Sequence, residues 1–101
     1  MSTRTASLDQ LWRAAESGDT QAVRAALDSQ VDVNARDSEG RTALMIATAH
    51  GRTKAVLALL AHGADPNVPD AKGFTPMRIA SSTGNSTIIG ALQKAGGRFY
   101  N

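Results

Sequence analysis

Apolar residues recur along this chain in short helical stripes separated by glycines. Leu8, Leu11, Trp12 and Ala15 fall at i, i+3, i+4 and i+7, the spacing of one helical face. Gly18 follows and suits a left-handed stop. Asp19 can then cap a second helix that buries Val23, Ala26 and Leu27. The same pattern returns downstream with Val56, Leu59 and Leu60, closed by Gly63. Asp37-Ser38-Glu39-Gly40 and Asp70-Ala71-Lys72-Gly73 read as tight turns with glycine at the position of positive φ. Thr42 and Thr75 read as N-caps, and Pro76 suits the first helical position, where its missing N–H is harmless.

Sliding the chain against itself by 33 residues brings these features into line. Gly18, Gly51 and Gly84 coincide, as do Ala14, Ala47 and Ala80, then Leu11, Leu44 and Met77, then Val23, Val56 and Ile89. Asp32 meets Asp65, Asn34 meets Asn67, Asp37 meets Asp70, Gly40 meets Gly73, and Thr42 meets Thr75. Each unit is a helix, a turn and a second helix. A single unit leaves its apolar stripe open, so three stacked units are close to the smallest stable array.

Gly40-Arg41-Thr42-Ala43-Leu44-Met45-Ile46-Ala47 and Gly73-Phe74-Thr75-Pro76-Met77-Arg78-Ile79-Ala80 resemble the G-x-T-P-L-H-x-A motif of ankyrin repeats. Ala61-His62-Gly63-Ala64-Asp65-Pro66-Asn67 resembles the family's G-A-D-x-N close. The resemblance covers about residues 8–97. It implies an all-α solenoid of stacked helix-turn-helix units with short hairpin-like turns. The units are expected at about 8–36, 37–69 and 70–97, between a flexible N-terminus (1–7) and a C-terminal tail or cap (98–101). The motif histidine is replaced by Met45 and Arg78, Trp12 stands at that place in the first unit, and position 43 is alanine where the motif has proline. Met45 must therefore pack where histidine hydrogen bonds would form. The first unit also lacks the D-x-x-G-x-T hairpin.

Solenoid ends need polar outer faces, and Ser81, Ser82, Thr83, Asn85, Ser86, Thr87 and Gln93 supply them in the third unit. The array therefore reads as complete. Phe99 and Tyr100 read either as a cap over the last helix pair or as an exposed anchor for a partner.

Composition narrows the function more than the fold. The 101 residues are 42% apolar but only 4% aromatic, so the core is built from small aliphatic layers. Cysteine is absent, which suits a reducing cytoplasm. The N-terminus lacks a signal-peptide pattern, and the longest helical apolar run, Ala55 to Ala61, is too short for a membrane span. Eleven cations face nine anions, a formal charge of +2, with a pI near 9.5. His50 and His62 are twelve apart with no H-E-x-x-H, and each suits a helix C-terminus better than a metal. Nucleophile-elbow, phosphate-loop and dinucleotide motifs are missing, so no catalytic residue, metal or cofactor is assigned. Asn85-Ser86-Thr87 matches a glycosylation sequon but reads better as a helix start.

The resemblance implies a non-catalytic module that binds a protein partner through its concave face and hairpin tips. By position, that surface comprises the tip residues Ser38, Glu39, Arg41, Ala71, Lys72 and Phe74. The helix-side residues Ala49, His50, Ser82 and Thr83 join it, with Arg36 and Pro69 flanking the tips. Phe74 reads as the foremost anchor, since aromatic and arginine side chains dominate hot spots. It reads equally as a residue tucked against the neighbouring hairpin. Arg36, Arg41, Arg52, Lys54, Lys72 and Arg78 leave nucleic-acid or acidic-surface binding as the alternative, weakened by the interleaved Asp37, Glu39 and Asp70. The chain is expected to be a cytoplasmic monomer, with end-to-end self-association the other possibility.

Overall fold

The computed structural model describes residues 7–98, and within them the chain forms six helices and no strand. These are α1 (Leu8–Ser17), α2 (Thr20–Asp28), α3 (Ala43–Ala49), α4 (Thr53–Ala61), α5 (Pro76–Thr83) and α6 (Ser86–Lys94). The longest has ten residues. Isolated helices this short are marginal in water, so packing must hold them.

Helices pair within each unit and then stack on the next: α1 on α3 on α5 in one row, α2 on α4 on α6 in the other. The result is a rod of 45 × 24 × 20 Å. Its seam is thin. Leu11, Val23, Leu44, Val56, Leu59, Met77, Ile88 and Leu92 are fully buried, with Ala15, Ala43, Ala47 and Ala80 filling the spaces between them. Met45 is also fully buried, as packing in place of the motif histidine requires. Burying one such large apolar side chain contributes about 1.5–3 kcal/mol, which is why the helices persist only when stacked.

Local signals set the helix ends. Thr42 and Thr75 accept from the N–H groups of Met45 and Arg78, Asp19 from Ala22 and Asn85 from Ile88. The first unit has no threonine at the matching place, and Ser7 starts α1 instead, in a reciprocal pair with Gln10. Gly18 and Gly84 close α1 and α5 in the left-handed region. In the third unit, Ser81, Ser82, Thr83, Ser86, Thr87 and Gln93 are all exposed. The cap or anchor expected of Phe99 and Tyr100 lies outside the described residues, and so does the N-terminus expected to be flexible at 1–7, apart from Ser7, which caps α1.

Register between units is fixed by a polar ladder. Asp32 and Asp65 each accept from the N–H two residues on, that of Asn34 and of Asn67. Asn34 Oδ1 then accepts from the Asp65 N–H at 2.7 Å, and Asn67 Oδ1 from the Arg98 N–H at 2.8 Å. Each Asn thus reaches forward to the same place in the next unit. Two arginines add longer ties: Arg36 donates to the Pro69 carbonyl at 2.7 Å, and Arg52 to the Glu16 carbonyl at 2.8 Å.

Candidate functional site

Two tight tips project at the junctions between units, Asp37–Arg41 and Asp70–Phe74. Their backbones match. Asp37 N–H donates to the Arg41 carbonyl and Asp70 N–H to the Phe74 carbonyl, both at 2.9 Å. Gly40 and Gly73 N–H groups close the turns on Asp37 and Asp70. Each aspartate accepts from two further N–H groups through Oδ1: Glu39 and Arg41 in the first tip, Lys72 and Phe74 in the second. Ala71 N–H donates to the Glu39 carbonyl and joins the tips. That approach demands glycine at position 40, where a Cβ would lie 2.6 Å from the Ala71 nitrogen and φ is +75°.

The side chains differ. Arg41 folds back onto Asp37 at 3.0 and 3.1 Å and lies 3.6 Å from Glu39. Burial pushes the Asp37 carboxyl up. Donation from the Arg41 and Glu39 backbone and from the Arg41 guanidinium outweighs this and leaves it below its ordinary range. Arg36 is likewise held, on the Gly40 and Pro69 carbonyls. In the second tip, Phe74 is 38% exposed and the Arg78 guanidinium stacks over its ring at 4.7 Å. Lys72 and Ala71 are exposed beside it, and the Lys72 side chain pairs with no described residue.

Ser38, Arg41 and His50 share a cleft of about 430 Å³ with Asp9, Trp12, Arg13, Glu16, Asp37 and Ile46. There α1 faces the first tip. His50 lies at its edge, Nδ1 3.0 Å from the Ile46 carbonyl and Nε2 3.8 Å from Glu16. The Trp12 Nε1–H is buried without a hydrogen-bond partner among the described residues. Ala49, Ser82 and Thr83 are exposed at the ends of α3 and α5, apart from that cleft, and the Thr83 hydroxyl donates to the Ala80 carbonyl. Reading the sequence position by position found the tips and His50 but missed Trp12 and Glu16 as cleft walls. The available signal was Trp12 at the repeat place of Met45 and Arg78.

Among the described residues, no three His, Cys, Asp or Glu side chains cluster as a metal would require, and no helix is long and apolar enough to cross a membrane.

The family model for ankyrin repeats, in three copies, matches residues 11–100, and this chain belongs to that family. No curated protein matches it significantly. Ankyrin repeats are in general protein–protein interaction modules and generally not catalytic.

Proposed function

We propose that this chain is a non-catalytic binding module whose tip row and helix ends grip a partner protein. The surface comprises Arg36, Ser38, Glu39, Arg41, Ala49, His50, Ala71, Lys72, Phe74, Ser82 and Thr83. The observation that carries this reading is the exposed Phe74 ring, backed by the Arg78 guanidinium and set beside Lys72, whose side chain pairs with no described residue. A rigid aromatic edge next to free charge is the composition of an interface hot spot. The alternative, binding nucleic acid through basic tips, has less support, because Arg36 and Arg41 already spend their donors on the chain itself. The lack of cysteine supports a cytoplasmic setting, and the polar third unit supports a monomer.

Affinity capture with the full chain, with the retained proteins identified by mass spectrometry, tests the reading. The Phe74→Ala, Lys72→Ala double variant is expected to lose a retained partner by tenfold or more while its helical signal and Tm stay put. Undiminished retention would show that the tips are not the binding surface. A steep loss of retention with salt, on nucleic acid alone, would favour the alternative.

A further inference from the structure

The second row of helices, α2, α4 and α6, forms a different kind of surface. Leu57 and Ala61, one turn apart on α4, make a ridge shared by two grooves. The groove between α2 and α4 is charged, with Arg24, Asp28, Lys54 and His62. The groove between α4 and α6, about 560 Å³, is mostly apolar, with Leu57, Leu60, Ala61, Gly90, Ala91 and Ala95 among its walls. From Ala55 to Ala61, α4 is apolar on every side. Ala55, Val56, Ala58 and Leu59 serve the core, while Leu57 is 48% exposed. A helix apolar all round is expected to be covered all round, and no described residue covers this flank.

Gly90 strengthens the point. It occupies the repeat place of Arg24 and Leu57, in the middle of α6. Glycine weakens a helix interior. Its φ is not in the left-handed region, and a Cβ there would meet nothing within 4 Å. Neither the backbone nor internal packing calls for glycine, but an outside chain approaching closely would.

Charge decides what that chain is. Arg24, Lys54 and Lys94 border the ridge and its grooves, and none pairs with a described residue. The acid among them, Asp28, faces His62 at 3.9 Å. Two copies laid face to face would oppose these cations, so a second copy is disfavoured and an acidic complement is favoured. The groove runs beside two nine-residue helices, each about 13 Å long, the span of two to three turns of a partner helix. We propose that the groove between α4 and α6 docks an amphipathic helix of a partner protein. Small aliphatic side chains lie over Gly90 and against Leu57, and acidic side chains meet Lys94 and, across the ridge, Lys54 and Arg24. This surface is independent of the tips.

Titration of the full ¹⁵N-labelled chain with a synthetic helical peptide tests it. The peptide carries Leu and Ala at i, i+3, i+4 and i+7 with Glu on both flanks; its control has Lys in place of Glu. The Glu peptide is expected to shift amides in 57–61 and 90–95 and to leave Ser38 and Lys72 unmoved. Gly90→Leu, which fills open space and favours the helix, is expected to weaken binding tenfold or more. The Lys54→Glu, Lys94→Glu variant is expected to prefer the Lys peptide. Any of four results would overturn the proposal: no binding at millimolar peptide, equal binding of both peptides, an affinity indifferent to Gly90→Leu, or shifts centred on the tips. Two more identify another occupant. Dimerisation abolished by Gly90→Leu would mean a second copy. Leu57-dependent retention on phosphatidylserine vesicles without peptide binding would mean a membrane surface.

Discussion

The two tips share one backbone and differ in the residue after the glycine. At Asp37–Arg41 an arginine returns to its own aspartate and closes the tip. At Asp70–Phe74 an aromatic ring takes that place, stacks beneath Arg78 and stays over a third exposed. The first tip is also roofed by the second, through Ala71 N–H on the Glu39 carbonyl. Nothing among the described residues roofs the second. A repeat frame thus fixes the backbone and leaves one side chain free to be structural in one unit and available in the next.

The steepest way to separate the tips is to add one methyl group to each glycine. Gly40→Ala combines an unfavourable φ with a clash on the Ala71 backbone, and is expected to lower stability by about 3 kcal/mol. Gly73→Ala carries the φ penalty alone, about 1–2 kcal/mol, since its Cβ meets nothing. Urea unfolding of the two variants measures the gap, and equal losses would break the asymmetry.

Removing the aspartates comes next. Asp37→Ala is expected to cost about 2 kcal/mol, more than Asp70→Ala, because it also strands Arg41. The sign of the pH dependence comes from the lowered Asp37 carboxyl. Its contribution is complete above the unfolded carboxylate pKa and fades as pH falls through the lower folded value, from about pH 4 downward. Unfolding curves at pH 7 and pH 3 should therefore converge for wild type and Asp37→Ala. A difference between them that grew in acid would contradict the assignment.

Gln30 gives a smaller effect of opposite sign. It stands at the repeat place of Gly63 and Gly96 and holds φ +67° without being glycine. Gln30→Gly is expected to raise stability by about 1 kcal/mol, visible as a higher Tm. Smallest of all, Phe74→Ala should change stability by less than about 0.5 kcal/mol, against a loss of partner binding. A large drop in Tm would make the ring a structural part.

Much of this frame is legible in the chain. Thr42, Thr75, Asp19 and Asn85 cap helices because a short side-chain oxygen before an apolar stripe has one favourable use. The paired Asp37 and Asp70 mark tips for the same reason. The ties made by Arg36 and Arg52 are not legible, because each ends on a backbone carbonyl that every residue possesses. Nor is the apolar groove, since a run such as Ala55–Ala61 does not say which residue faces outward until a neighbouring helix is placed. The cleft beside Trp12 is hidden likewise, since it forms only where α1 is brought against the first tip.

In-register stacking has an internal control in the tips themselves. Ala71 and Ser38 hold the same repeat position, yet only the Ala71 N–H has an acceptor among the described residues, in the unit before it. Amide hydrogen exchange of the full chain by NMR reads both at once. Stacked as described, Ala71 exchanges at least tenfold more slowly than Ser38, after correction for intrinsic rates. Equal, fast exchange at the two amides would mean that the units do not meet at their tips.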